Sequence, residues 1–307
     1  MTVNPLPAVH PKTLRAVLQT LVYFERFSYP LTAEEVFQFS ASAGFTQESM
    51  THALHEMVHK KQVFQYGDFF QTLEQPEWPR QRLENNRRAE HYLSIARRMA
   101  RLIAAFPFVR AVMVSGSLSK HSMRADGDID FFVVTAPGRL WLARTMLVCF
   151  KKLFLLNSRK YFCVNYFVDT EHLEIEEKNL FTATEVVTLL PMYGKELFLR
   201  FVKANHWAWT SFPNFPMRDT CETPALHLPW PKRALEYLLY GRLGKWLDRL
   251  CMRLTLAYWQ KKFKHMPKET FELAFKSKPY VSKHHPLHFQ AQVLESLEER
   301  LKELEGR

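Results

Sequence analysis

Apolar residues recur at spacings of three and four positions through the first sixty residues. This period gives residues 13–27 one apolar face and predicts an amphipathic helix. Thr32 and Glu35, three positions apart, have the pattern of a capping box and predict a second helix over residues 33–40. A third apolar face predicts a helix over residues 48–61.

Two short strands are predicted next, over residues 63–66 and 69–73, on either side of a turn at Gly67 and Asp68. The order of three helices followed by a hairpin resembles a winged helix-turn-helix domain. We therefore expect a winged-helix-like domain over residues 1–78.

The hydrophobic period changes after Pro76 and Pro79, two prolines that interrupt both helix and strand. A long Arg-rich helix, three apolar strands and an intervening helix are predicted in the order 80–106, 109–114, 129–134, 140–156 and 161–168. This alternation predicts an α/β (α+β) core with a mixed sheet, over residues 79–225. The remaining residues, 226–307, are predicted to be a helical region with long helices over 233–264 and 289–305.

The composition is that of a packed protein, with 47% hydrophobic and 24% charged residues among 307. It excludes disorder and collagen-like repeats. The four cysteines lie far apart, no secretory signal begins the chain, and the apolar stretch at 140–156 is interrupted by charges. These features predict a cytoplasmic protein with no membrane span.

The net charge of +11 is unevenly distributed along the chain. Residues 1–79 carry five Lys and Arg against eight acids, whereas residues 80–125 carry ten against two and residues 232–264 carry nine against two. Specific DNA binding by the acidic first domain is therefore not expected. The basic segments fit either a polyanionic substrate such as a nucleoside triphosphate or ordinary solvated helix faces.

The candidate chemistry lies between the first two predicted strands of the core. Gly116 and Ser117 follow the first strand, and Asp128 and Asp130 stand at the start of the second. Residues two apart on a strand share a face, so the two carboxylates are expected side by side, where they suit Mg²⁺. Gly116 allows a phosphate to approach the backbone, and Ser117 offers a hydroxyl and an amide.

This arrangement resembles the nucleotidyltransferase superfamily typified by DNA polymerase beta, and Gly116, Ser117, Asp128 and Asp130 match its motif in order and spacing. The order of the predicted domains along the chain also looks like that of bacterial proteins with a winged helix followed by a nucleotidyltransferase domain. The resemblance implies a nucleotidyltransferase fold that transfers a nucleoside monophosphate from a nucleoside triphosphate (NTP) to an acceptor. Two Mg²⁺ ions would be held by the two aspartates, and the acceptor is an RNA, a protein or a small molecule.

Two basic residues in the short helix after Gly116, Lys120 and Arg124, are candidate phosphate contacts, or else solvated side chains. Arg144, in an otherwise apolar helix, has either a structural role or a role as partner of Asp128 or Asp130.

The third carboxylate of the resembled family is missing from its usual place on the next strand, where this chain has Asn165. Asp169 shares the face of Asn165 and is the candidate third catalytic acid, although Asp at a strand end is also typical of a turn. The absence of a carboxylate at 165 favours a second hypothesis, a catalytically weak nucleotide-binding or regulatory protein with a winged-helix interaction domain.

Two further groups have mainly structural interpretations. Aromatic residues near position 210 are expected to pack between domains rather than to stack a base, namely Trp207, Trp209, Phe212 and Phe215. The loosely spaced His284, His285 and His288 have no cysteine or acid nearby in sequence, so zinc is not expected.

Overall fold

The computed structural model describes residues 10–41, 44–158, 160–284 and 289–305. Its helices are α1 (Pro11–Glu25), α2 (Ala33–Gln38), α3 (Gln47–His59), α4 (Glu77–Ala105), α5 (Gly116–Ser119), α6 (Leu140–Phe154), α7 (Leu180–Thr188), α8 (Lys195–Ala204), α9 (Trp207–Ser211), α10 (Trp230–Leu238), α11 (Arg242–Lys262), α12 (Lys268–Ala274) and α13 (Phe289–Glu305). Its strands are β1 (Leu31–Thr32), β2 (Phe64–Tyr66), β3 (Phe69–Gln71), β4 (Val109–Ser115), β5 (Asp130–Thr135), β6 (Cys163–Asp169), β7 (Leu190–Tyr193), β8 (Ser277–Lys278) and β9 (Val281–Lys283).

The N-terminal segment contains α1, α2 and α3 beside a three-stranded antiparallel sheet in the order β1-β3-β2. The capping box is present, since the Thr32 hydroxyl accepts from the Glu35 N–H and the Glu35 carboxylate accepts from the Thr32 N–H. The predicted hairpin is formed by β2 and β3, and the two-residue strand β1 was not predicted.

A second, six-stranded sheet has the order β7-β4-β5-β6-β9-β8. β5 and β6 are parallel, while the other neighbouring pairs are antiparallel. The mixed α/β class is therefore confirmed. The prediction that residues 226–307 form a helical region is corrected in one respect. This region also contains the hairpin β8-β9, which pairs with β6 and extends the sheet of the core.

Successive residues of β5 pack on opposite faces of this sheet. Phe131 and Val133 join a cluster that includes the apolar residues of α4 and α6. Phe132 and Val134 join the cluster that includes those of α7 and α8. Asp130 has the parity of Phe132 and therefore faces the α7–α8 side.

The N-terminal segment is joined to the core by buried polar and aromatic contacts. The guanidinium of Arg82, on α4, donates to Pro30 O over 3.0 Å and lies 3.5 Å from the centre of the Tyr29 ring. Phe39 packs on Phe212 and Phe215, with ring centres 5.9 and 5.1 Å apart. This arrangement agrees with the core-packing interpretation of the aromatic cluster.

The C-terminal helices are held by hydrogen bonds to the ends of the core elements. Glu236 of α10 accepts from the backbone N–H of Phe108 over 2.6 Å and pairs with Arg110 at 2.7 Å. Asp248 of α11 accepts from the Leu142 N–H at 2.8 Å. Within the described ranges, every helix is too short or too polar to span a bilayer.

Candidate functional site

A turn at Gly116 connects the C-terminal end of β4, an inner strand of the six-stranded sheet, to α5. Gly116 has a φ of +71°, and a Cβ at this position would lie 2.7 Å from Asp130 Oδ2. The β4–β5 register explains the proximity, since Ser115 pairs with Asp130. Only glycine combines this backbone conformation with so close an approach of the carboxylate.

Asp130 is the first residue of β5, and Asp128 precedes it by two positions; both are half-buried. Burial, followed by the negative charges of Asp128 and Glu185, raises the pKa of Asp130 to about 7. Burial is the main cause of the shift, and the carboxylates of Asp128 and Glu185 add to it. A carboxylate pair in this state is stabilised by a proton or by a cation.

Asn165 occupies the position of the expected third acid and contacts Asp130 directly. Its Nδ2 donates to Asp130 Oδ1 over 2.5 Å, and its Oδ1 accepts from Cys163 Sγ over 3.1 Å. Burial raises the pKa of the Cys163 thiol to about 12, so that the thiol remains a donor at neutral pH. Asn165 therefore orients one oxygen of Asp130 and adds no negative charge.

Glu185, on α7, is a site residue that the sequence analysis missed. Its Oε1 lies 2.7 Å from Lys120 Nζ, and its Oε2 accepts from the Gly116 N–H over 3.2 Å. Glu185 is the one charged residue in an otherwise neutral helix, Leu180–Thr188, and this isolation was an available sequence signal. The Glu185 carboxylate thus contacts two groups expected to bind phosphate.

Two other predicted phosphate contacts, Ser117 and Arg124, are exposed to solvent. Ser117 is exposed on the same turn as Gly116. Arg124 lies in the loop between α5 and β5, and its side chain pairs at 3.2 Å with Asp126, which is also exposed. Lys120 additionally donates to Gly116 O over 3.1 Å. The structure therefore brings Gly116, Ser117 and Lys120 together and leaves Arg124 facing solvent.

The structure corrects the expected placement of Asp169. In the parallel β5–β6 pairing, Asp130 is opposite Cys163, whereas Asp169 is opposite Thr135 at the far end of both strands. Five residues of strand separate the two ends by about 17 Å. Asp169 begins a turn, because its Oδ1 accepts from the N–H groups of Glu171 and His172 at 3.0 and 2.9 Å. It does not reach the Asp128–Asp130 end of the sheet.

Arg144 also lies away from the aspartates. Its guanidinium lies 4.6 Å from the centre of the Trp259 ring and 5.7 Å from that of Trp141, between α6 and α11. Burial lowers its pKa to about 10. These contacts favour the structural role of Arg144, which is to pack α6 against α11. His284 packs near the same Trp259 ring, at 5.2 Å, while His285 and His288 lie outside the described residues.

The possible metal ligands do not form a set of three in the part of the chain that the structure describes. Within it, no group of three or more His, Cys, Asp or Glu side chains is arranged to hold a metal ion. Asp128 and Asp130 remain a pair of oxygen donors beside a backbone turn. This donor set matches Mg²⁺, which binds one or two carboxylates and fills its other positions with water and phosphate.

Comparison with known protein families, with curated proteins and with solved structures gives no match to this chain.

Proposed function

We propose that the chain is a Mg²⁺-dependent nucleotidyltransferase with a nucleotidyltransferase-type core. The observation that carries the proposal is the contact between the Gly116 turn and Asp130, with Asp128 two residues away. A backbone N–H suited to phosphate and two carboxylates suited to metal are thereby placed within one small site.

The donor set fits one Mg²⁺ held by Asp128 and Asp130. Support comes from the raised pKa of Asp130, which reflects burial first and then repulsion from Asp128 and Glu185, and a divalent cation would relieve the repulsion. The two expected ions would have to share these two carboxylates. Bound Mg²⁺ supplies charge stabilisation to the phosphate oxygens during an in-line displacement.

The surrounding residues orient the ligands of this site. Asn165 Nδ2 fixes Asp130 Oδ1, which leaves Oδ2 directed to the Gly116 side. The Gly116 N–H, the Ser117 hydroxyl and the Lys120 ammonium are the donors available to a triphosphate. Two of them, the Gly116 N–H and Lys120, are bonded to Glu185 and become available to phosphate when that carboxylate moves away.

A second candidate function is nucleotide binding with little or no turnover, in a regulatory protein. Two observations favour it, namely the neutral amide of Asn165 in place of a third acid and the carboxylate of Glu185 on the phosphate donors. The order of helices and strands in the N-terminal segment supports a winged-helix interaction domain in either case. Its α1 also packs on α13, where Arg300 Nε lies 3.4 Å from Glu25 Oε1.

The two functions are separated by measuring binding and turnover on the same protein. Calorimetry with each of the four NTPs is performed with Mg²⁺ and with excess chelator, and pyrophosphate release is followed with RNA, protein and small-molecule acceptors. Metal-dependent binding with pyrophosphate release supports the transferase, whereas metal-dependent binding without release supports the regulatory protein. Absence of NTP binding in Mg²⁺ refutes both.

Site-directed variants assign any observed signal to the proposed residues. Asp128→Asn and Asp130→Asn are expected to abolish Mg²⁺-dependent binding. Asp68→Asn is the matched control, because Asp68 is exposed in the turn between β2 and β3 and lies outside the site. Equal loss in all three variants would show that the signal does not come from the aspartate pair.

A further inference from the structure

The longest C-terminal helix, α11, has two apolar sides. Its buried side is anchored to the core, where Trp259 packs on Trp141 with ring centres 6.1 Å apart and Asp248 caps the Leu142 N–H. A second row of large apolar residues lies on the solvent side at spacings of three, eight and four positions. This outer stripe consists of Leu243, Trp246, Leu254 and Tyr258, each more than half exposed.

A row of basic residues runs beside the outer stripe. Arg242, Lys245, Arg249 and Arg253 are all exposed and form the basic stripe. Their spacings of three, four and four positions place them on one side of the helix, next to the outer stripe. The exposed half of α11 is therefore amphipathic, with an apolar band and a cationic band along the same helix.

Further exposed apolar residues lie at the end of α6 and on α10. At the C-terminal end of α11, Lys152 Nζ lies 5.8 Å from the Tyr258 ring centre, which places the end of α6 beside the outer stripe. Leu153, Phe154 and Leu156 follow there, each at least 70% exposed. On α10, before the N-terminal end of α11, Trp230 and Tyr237 are about four-fifths exposed, at 78% and 84%.

We propose that α11 and the end of α6 form a docking surface for an anionic lipid bilayer, on which α11 lies parallel to the membrane plane. Helices that bind in this way combine Trp and Leu on one band with Lys and Arg on another. The basic stripe would meet anionic headgroups, and the outer stripe would enter the acyl boundary. This inference does not depend on the nucleotide site.

Charge and side-chain chemistry favour lipid over two other occupants. In a two-fold contact with a second copy, the basic stripes of both copies would be brought to the same interface and repel. Nucleic acid would pair with the basic stripe but would leave Leu243, Leu254 and Leu156 against a charged backbone. An anionic bilayer satisfies both bands, and Trp and Tyr are the residues enriched at its interface.

The test is flotation of the full chain with vesicles of phosphatidylcholine alone and of phosphatidylcholine mixed with phosphatidylglycerol. We expect binding to the mixed vesicles, weakened by salt, and little binding to phosphatidylcholine alone. Leu243→Ser with Leu254→Ser is expected to weaken binding roughly tenfold or more. Arg249→Ala with Arg253→Ala is expected to weaken it by roughly fivefold for each charge removed.

Matched controls carry the same chemical changes elsewhere on the surface. Leu83→Ser with Leu199→Ser alters two half-exposed leucines, of α4 and α8, and Arg97→Ala with Arg98→Ala removes two exposed charges of α4. These controls are expected to bind mixed vesicles as the unaltered chain does. Since all substituted positions are exposed, circular dichroism is expected to show the same fold and melting for each variant.

Three outcomes would overturn the proposal. The first is no binding of the folded chain to mixed vesicles, and the second is equal binding by the stripe variants and their controls. The third is a dimer in solution that Leu243→Ser with Leu254→Ser converts to a monomer, which would assign the surface to a second copy. The chain can also be tested for binding to duplex DNA without lipid. DNA binding that the leucine substitutions leave unchanged would not account for the apolar band. If the chain still binds mixed vesicles, that result supports the lipid assignment.

Discussion

Glu185 accepts a hydrogen bond from the backbone N–H of Gly116 over 3.2 Å, and its other carboxylate oxygen lies 2.7 Å from Lys120 Nζ. A carboxylate of the protein itself therefore occupies the donors that suit a phosphate group. Under the proposed function, an incoming triphosphate competes with this side chain.

We expect Glu185→Ala to raise the affinity for NTP in Mg²⁺ by roughly tenfold or more, because charge-assisted hydrogen bonds no longer have to be broken. Calorimetry measures the change. Glu196→Ala, an exposed glutamate of the adjacent α8, is the control and is expected to leave affinity unchanged. A fall in affinity specific to Glu185→Ala would instead make Glu185 a metal ligand.

Asp130 is expected to titrate near pH 7 in the metal-free protein, because burial and the charges of Asp128 and Glu185 raise its pKa. Asp128→Asn removes one repulsive charge and is expected to lower the pKa of Asp130. Carboxyl ¹³C shifts followed against pH measure both values. A midpoint near the ordinary Asp value in the unaltered chain would contradict this prediction.

The same shift predicts how stability depends on pH. Between about pH 4 and pH 7 the folded state holds a proton on Asp130 that the unfolded state has lost, so this contribution to stability is lost as pH rises. In Asp130→Asn the contribution is absent. As pH rises from about 4 to 7, we therefore expect the unfolding free energy of the unaltered chain to fall relative to that of Asp130→Asn. Denaturant titrations at several pH values measure this difference.

Gly116→Ala is expected to weaken Mg²⁺-dependent binding, because the new Cβ would lie 2.7 Å from Asp130 Oδ2 and displace the carboxylate. Gly138→Ala is a close control. Gly138 has a φ of +64° and no atom within 4 Å of the added Cβ, so it carries the backbone strain without the contact. Both variants should lose about 1 kcal/mol of stability from the left-handed backbone, and only Gly116→Ala should lose binding.

Asp169→Ala is expected to reduce stability by roughly 1–2 kcal/mol and to leave NTP binding unchanged. The reason is that Asp169 accepts the N–H groups of Glu171 and His172 at the far end of β6. Urea denaturation and calorimetry measure the two effects separately. Loss of Mg²⁺-dependent binding in the folded variant would restore Asp169 as a site residue.

The sequence by itself determined the local elements and the nearest part of the site. The period of apolar residues identified α1 and α3, and the capping-box spacing located the start of α2, because these signals depend on residues a few positions apart. The Arg-rich run after Pro79 and the apolar run at 140–156 indicated α4 and α6. The pairing of the Gly116 turn with Asp130 was also within reach of sequence, since a turn and the following antiparallel strand are close along the chain. The alternation of strands and helices indicated the mixed class of the core.

Only the tertiary structure decided which distant residues share the site. Glu185 is 69 positions from Gly116 and arrives through the packing of α7 on the sheet, which no local spacing encodes. Asp169 follows the face of Asn165 in sequence, but the parallel register of β5 and β6 places it at the opposite end of the strands. The C-terminal hairpin β8-β9 was missed for a related reason. Its strands of two and three residues are too short for a periodic signal, and their pairing with β6 is fixed by the folded sheet.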